Sequence, residues 1–237
     1  MPGRKQQKKE SVCEKCGGVL FLFTPTGIEP CECQREVYFQ RRLSRAGIPP
    51  KYRNKSIDTF TAQDRVRKTL RNDALAYVNA FSPRPTDGSL MKGLMFMGGV
   101  GCGKTHLAIG ILHDIIRKGY TGYYCNVVDL FMKMRDTYRG DVNYDEMDII
   151  DRAVAPDLLV LDDIGAENTS DWSLDRLYNI INRRYENNRP IIVTTNYLNQ
   201  EELAEQVGRR IVSRLCEMCQ ICDRFPKEDF RMRGMVT

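Results

Sequence analysis

Residues 98–105 constrain this chain more than any other stretch. They read Gly98-Gly99-Val100-Gly101-Cys102-Gly103-Lys104-Thr105, a G-x-x-x-x-G-K-T spacing. Glycines let the backbone turn tightly and aim its N–H groups at an anion. Lys104 adds a compact positive charge suited to β- and γ-phosphates, and Thr105 a hydroxyl suited to magnesium. The flanks agree. Residues 93–97 (GLMFM) form a short apolar run that predicts a buried strand. Leu107, Ala108, Ile111, Leu112 and Ile115 then recur at helical spacing until Gly119. The loop therefore joins a strand to a helix N-terminus, where the helix dipole favours an anion. The loop from Gly98 to Thr105, with His106 following it, is the expected nucleotide-binding segment.

A strand–loop–helix of this kind needs a parallel sheet around it, and the rest of the chain supplies one. Apolar runs at 94–97, 123–127, 158–161 and 191–194 alternate with helical patterns, which predicts an α/β fold with helices on both faces of the sheet. Before the last run, Leu174, Leu177, Tyr178, Ile181 and Tyr185 form one helical stripe. At 237 residues with 42% apolar side chains, the chain is long enough for one or two domains with a real core. No internal repeat or low-complexity tract interrupts it.

Two of the predicted strands end in polar groups, and in parallel sheets ligands bind at strand ends. LLVL at 158–161 is followed by Asp162 and Asp163. Asp162 is placed to hold magnesium, and Asp163, one step on, to orient or deprotonate an attacking water. IIVTT at 191–195 is followed by Asn196, whose amide can bond a γ-phosphate or that water.

Upstream, Cys13-x-x-Cys16 and Cys31-x-Cys33 bracket a short apolar segment. Four thiolates in two close pairs suit a tetrahedral zinc site. The other reading is free thiols in a disordered leader. A segment this small needs metal as its folding energy. The sequence thus divides into a basic tail and zinc-binding module (1–40), a linker (41–60) marked by Gly47, Pro49 and Pro50, and the main domain (61–237), which opens on a helical pattern at 61–80. With no apolar stretch after the basic start and no run approaching the ~18 residues of a membrane span, a cytoplasmic protein with reduced cysteines is expected. Cys216, Cys219 and Cys222 have no fourth ligand nearby and read as buried thiols. The net charge of +5 permits a nucleic-acid partner without requiring one. Arg4, Lys5, Lys8 and Lys9 read as a solvated tail or a phosphate contact. Lys133, Arg135, Tyr138 and Arg139 read as a single-stranded DNA surface or a solvated helix face.

These segments together resemble the AAA+ ATPases, in particular the DnaC/DnaI helicase-loader branch and its IstB-like relatives. The resemblance covers roughly residues 46–237 and is carried by 98–105, 158–167 (LLVLDDIGAE), 191–196 (IIVTTN), 208–215 (GRRIVSRL) and 228–231 (EDFR). It implies an AAA+ core and an ATP–Mg-dependent ATPase acting with a replicative helicase and single-stranded DNA as a homo-oligomer, with the zinc module gripping the helicase. It matches Asn196 to sensor 1, Arg214 to an arginine finger acting on a neighbouring subunit, with Arg210 as the competing candidate, and Arg231 to sensor 2. Two departures qualify it. Many AAA+ proteins carry Glu where this chain has Asp163, which implies slow intrinsic hydrolysis. About forty residues follow Asn196, too few for a full helical lid, so the lid is expected to be reduced or absent. The same ATPase core also fits an IstB-type transposition helper, or an adaptor switched by ATP with negligible turnover.

Overall fold

The computed structural model describes residues 13–25, 27–84, 90–140, 142–166, 170–226, 229, 230 and 232. It divides into two compact units, 1–41 and 42–237.

In the first unit, a tight turn after Cys13 is closed by Gly17 N–H donating to the Cys13 carbonyl at 2.8 Å. It leads into an antiparallel hairpin, β1 (Phe21–Thr24) and β2 (Gly27–Pro30), with Phe23 opposite Ile28. Helix α1 (Cys33–Arg45) follows, and the first unit ends within it. Hairpin side chains such as Phe23 and Ile28 are largely exposed, while Cys16 and Cys31 are buried.

The second unit is built on a five-stranded parallel sheet. After α2 (Arg65–Ala80) come β3 (Gly93–Met97), α3 (Lys104–Arg117), β4 (Gly122–Asn126), α4 (Val127–Thr137), α5 (Glu146–Val154), β5 (Leu158–Asp162), α6 (Asp171–Glu186), β6 (Ile191–Thr195), α7 (Gln200–Val207), α8 (Arg209–Met218) and β7 (Cys219–Cys222). The strand order is β4-β5-β6-β3-β7, parallel throughout. Strands β3, β5 and β6 lie inside the sheet, so their residues are buried on both faces and their sequences read as unbroken apolar runs. Alternate residues, among them Met95, Met97, Leu159, Leu161 and Val193, join one core with α4 to α8. Helices α2 and α3 contact each other, and α3 runs across β4, β5 and β6.

Three features depart from the sequence-based expectation. Strand β7 was not anticipated, because its four residues (CQIC) carry no apolar run. Residues 42–60 belong to the second unit, and the stretch expected to be a linker is folded: Ala46, Ile48, Ile57 and Phe60 are buried, and the Ala46 carbonyl accepts from Tyr124 N–H at 2.7 Å. Gly110, in the middle of α3, makes room for it, since a Cβ there would lie 2.7 Å from the Ile57 nitrogen. On α6, the buried face includes Arg184 as well as Leu177 and Ile181, with Tyr185 at its margin. The Arg184 guanidinium donates to the carbonyls of Ala153, Val154 and Pro156 at 3.0 Å each and to Pro190 at 2.5 Å. It thereby satisfies the carbonyls left open at the end of α5 and ties the starts of β5 and β6 together. Burial draws its pKa down to about 9.

Candidate functional site

The C-terminal ends of β3, β5 and β6 meet the N-terminus of α3, and a cavity of about 770 Å³ opens there. Loop 98–105 curls around the N-terminus of α3. Its glycines at 101 and 103 have φ of 71° and 104°, in the left-handed region where a side chain is strained. Lys104 is buried and folds back across the loop. Its Nζ donates to the carbonyls of Gly98 (2.7 Å) and Gly99 (2.6 Å) and to Asn196 Oδ1 (2.9 Å). Burial holds its pKa below the usual lysine value. The Cys102 thiol donates to the Gly99 carbonyl at 3.0 Å and so helps close the turn.

Asp162 ends β5 and is saturated with hydroxyl donors. Thr105 Oγ1 and Thr194 Oγ1 each reach Oδ1 at 2.7 Å, and the Tyr124 hydroxyl reaches Oδ2 at 2.8 Å. Burial and then the neighbouring carboxylate push the Tyr124 phenol well above its usual pKa, so it remains a donor. Asp163 follows with φ 64°, a conformation that Asp tolerates better than most residues. Its N–H donates to Thr194 Oγ1 at 2.9 Å, and its Oδ1 accepts from Asn196 Nδ2 at 2.6 Å. A continuous polar chain therefore runs Lys104–Asn196–Asp163, beside a second one, Thr105–Asp162–Thr194.

The donor set suits magnesium: the Thr105 hydroxyl is a hard oxygen ligand, and the Asp162 carboxylate, hydrogen-bonded to it at 2.7 Å, is placed to hold the ion through water. The cysteines of the first unit fit zinc. Tetrahedral Zn–S bonds of ~2.3 Å place sulfurs about 3.8 Å apart. Cys13 and Cys31 are 3.8 Å apart, Cys16 and Cys33 3.4 Å, and all four sulfurs lie within 4.8 Å of one another. The sulfurs share protons: against its desolvation, hydrogen bonds from Cys33 and from backbone N–H groups draw the Cys16 thiol down to about 7, while burial and the bonds to its neighbouring thiols push the Cys33 thiol up. Among the described residues no other cluster of this kind occurs, and Cys219 and Cys222 are buried singly in β7.

The remaining expected residues are placed as follows. His106 lines the cavity, and its Nε2 lies 3.0 Å from the Ser56 carbonyl and 3.1 Å from Thr59 Oγ1, pinning the folded segment to α3. Val100 is on the cavity rim. Among the described residues, neither Arg210 nor Arg214 lines the cavity. Both lie on α8 and stack on α6, Arg210 over Tyr178 at 4.3 Å and Arg214 over Tyr185 at 4.2 Å, with Glu217 3.6 Å from Arg214. Lys133, Arg135, Tyr138 and Arg139 are exposed on or just after α4. Arg135 lies 5.4 Å over the Trp172 ring, and the Tyr138 hydroxyl bonds Glu146. Arg231, Glu167 and the basic residues 4, 5, 8 and 9 lie outside the described residues.

Sequence reasoning missed one wall of the cavity, formed by Lys51, Tyr52, Lys55, Phe60 and Arg67. It also missed Thr194 and Tyr124 as partners of Asp162. The polar pair Thr194-Thr195 at the end of an apolar strand was the available signal for Thr194; nothing local marks the others. No helix among the described residues is long and apolar enough to cross a membrane.

Comparison with known proteins gives a consistent result. Residues 88–223 match the family of IstB-like ATP binding proteins. The replicative helicase loader DnaC of Escherichia coli (strain K12) is 30% identical over 181 residues, covering 76% of this chain and 71% of the loader. A crystal structure of the DnaC helicase loader superposes with a TM-score of 0.64 at 30% identity, covering 73% of this chain and 98% of that one. A crystal structure of DnaI gives a TM-score of 0.65 at 23% identity, covering 80% and 99%, which speaks for the fold. So does AMPPCP-bound DnaA from Aquifex aeolicus, at 0.59 and 22%, covering 73% and 50%.

Proposed function

Because the chain belongs to the family of IstB-like ATP-binding proteins, as a relative of the helicase loader DnaC, we propose that it is an ATP-dependent loader of a replicative DNA helicase. The observation that carries this reading is the 30% identity to a helicase loader across 71% of that loader's length. The cavity supports the nucleotide chemistry, and its cationic lining of Lys51, Lys55, Arg67 and Lys104 suits a polyanion.

In this reading the triphosphate lies along 98–105, and Lys104 exchanges its loop carbonyls for β- and γ-phosphate oxygens. Thr105 and Asp162 would hold magnesium, which neutralises charge developing on the phosphates. Tyr124 and Thr194 fix the Asp162 carboxylate while it does so. Asp163 orients the attacking water, and Asn196 ties that water's position to Lys104. Arg214, which does not line its own cavity, serves a neighbouring subunit, so hydrolysis requires an oligomer. The cysteine module holds zinc and grips the helicase. Lys133, Arg135, Tyr138 and Arg139 contact single-stranded DNA.

The test is reconstitution with the cognate replicative helicase. The chain and ATP together should increase helicase loading onto single-stranded DNA coated with its binding protein, read as unwinding rate, and Lys104→Ala should remove the gain. A chain that binds ATP yet neither associates with the helicase nor raises loading would overturn the proposal. The family match at 88–223 also supports a second reading, a transposition helper of the IstB type. Stimulation of a transposase instead of a helicase would select it.

A further inference from the structure

Arg214 does not lie loose on α8. Leu177 and Ile181 of α6 and Ile211, Val212 and Leu215 of α8 are buried in one core, which fixes the two helices against each other. At the margin of that contact the Arg214 Cζ lies 4.2 Å over the ring of Tyr185, in the last turn of α6. This is a close cation–π stack. The Tyr185 hydroxyl donates to Glu217 Oε1 at 2.6 Å, and the other oxygen of that carboxylate, Oε2, lies 3.6 Å from Arg214 Nη1. One tyrosine thus holds the guanidinium by its face and also holds the carboxylate that attracts it from one edge. The bond to Glu217 keeps the Tyr185 phenol above its usual pKa, so the hydroxyl stays a donor.

This seat is firm without being closed. A charge-assisted hydrogen bond measures about 2.7–2.9 Å, so the 3.6 Å pair with Glu217 is an attraction that can give way to a better acceptor. The Arg214 side chain also stays 34% exposed. A planar fork held by its face, with its edge still reachable, is the form in which arginine takes two phosphate oxygens at once. A loose arginine loses its rotamer freedom at the moment it engages phosphate. A seated one has given up most of that freedom beforehand, so less is lost on engagement. We propose that Tyr185 is the positioning residue of the arginine finger: its ring holds the Arg214 fork in place for the nucleotide of a neighbouring subunit, and its hydroxyl sets Glu217 as the partner that phosphate displaces. This rests on reading Arg214 as a finger that acts in trans.

The experiment uses mixed oligomers of the full chain, with hydrolysis stimulated by helicase and single-stranded DNA. In this reading Lys104→Ala chains lend a finger but cannot cleave, and Arg214→Ala chains cleave only with a borrowed finger. Adding Tyr185→Leu to the finger-lending chains should lower the maximal rate of the mixture about fivefold, the size of an exposed cation–π contact, with ATP affinity unchanged. Adding the same substitution to the Arg214→Ala chains should leave the rate unchanged, because those chains lend no finger. Tyr185→Phe on the finger-lending chains keeps the ring and should retain most of the rate. An equal fall from either kind of chain would mark a purely structural role and overturn the proposal, as would no fall from the finger-lending chains. A loss with Tyr185→Phe as large as that with Tyr185→Leu would overturn the part given to the ring. Failure of the finger reading looks different: the parent mixture, with Tyr185 intact, would restore no hydrolysis at any ratio.

Discussion

Replacing Asp163 with Asn separates nucleotide binding from hydrolysis with little disturbance to the fold. Asp163 stands at φ 64°, where most residues pay roughly 1–2 kcal/mol and Asp and Asn pay less. Asn keeps that tolerance. Its amide oxygen can still accept from Asn196 Nδ2, which lies 2.6 Å from Asp163 Oδ1, and the backbone bond to Thr194 is untouched. The cost to stability should stay within about 0.5 kcal/mol. The negative charge needed to orient and deprotonate water is removed, and general-base assistance contributes ~10²–10⁴ in rate. Asp163→Asn should therefore bind ATP normally and lose at least about a hundredfold in partner-stimulated turnover. Asp163→Glu supplies the longer carboxylate that the family resemblance leads one to expect, and should remain active. It also sets a less tolerant residue at positive φ, at a cost of about 1 kcal/mol, or a melting temperature lower by about 2–4 °C in a chain of this size. Single-turnover hydrolysis with and without helicase and single-stranded DNA, beside direct ATP titration, reads both effects. Turnover by Asp163→Asn within about threefold of wild type would show that Asp163 does not handle the water. Glu167 would then be the next carboxylate to replace.

Three further outcomes are expected. Protein purified without chelator should carry about one zinc per chain, and Cys13→Ser with Cys31→Ser together should abolish it; full zinc content in that variant would remove the site. Arg214→Ala should bind ATP and lose stimulated turnover, and mixing it with Lys104→Ala protein should restore part of the activity through one intact composite site, whereas no restoration at any ratio in a verified oligomer would exclude action in trans. Tyr124→Phe deletes only the hydroxyl that donates to Asp162 Oδ2 at 2.8 Å. It should raise the magnesium concentration needed for half-maximal hydrolysis by about tenfold, as loss of a partner behind a metal ligand does, with maximal rate largely recovered at high magnesium; an unchanged magnesium requirement would show that the bond does not position Asp162.

The parts of the site that could be read from sequence are those whose chemistry is compressed into a few adjacent residues. The phosphate loop, Asp162-Asp163 and Asn196 each follow an apolar strand, and a parallel sheet gathers strand ends, so their convergence needed no knowledge of distant packing. The missed parts depend on contacts far along the chain. Tyr124 looks like any strand residue until β4 pairs with β5 and brings its hydroxyl to Asp162, 38 positions later. Residues 46–60 look like a linker because Gly47, Pro49 and Pro50 break periodicity, but they are held by single contacts: Ala46 on Tyr124, Ile57 against Gly110, and His106 on Ser56. This folded segment also lines the cavity and reaches Asp162 through a neighbouring ring. Tyr52 lines it and meets Tyr124 edge-on, with ring centroids 6.3 Å apart, and Tyr124 in turn holds Asp162. A ligand group that moved Tyr52 would thus press on the ring whose hydroxyl fixes the metal-side carboxylate. Interior packing resists such displacement instead of absorbing it. The wall that carries no motif therefore reaches, through Tyr52 and Tyr124, the carboxylate expected to hold the metal.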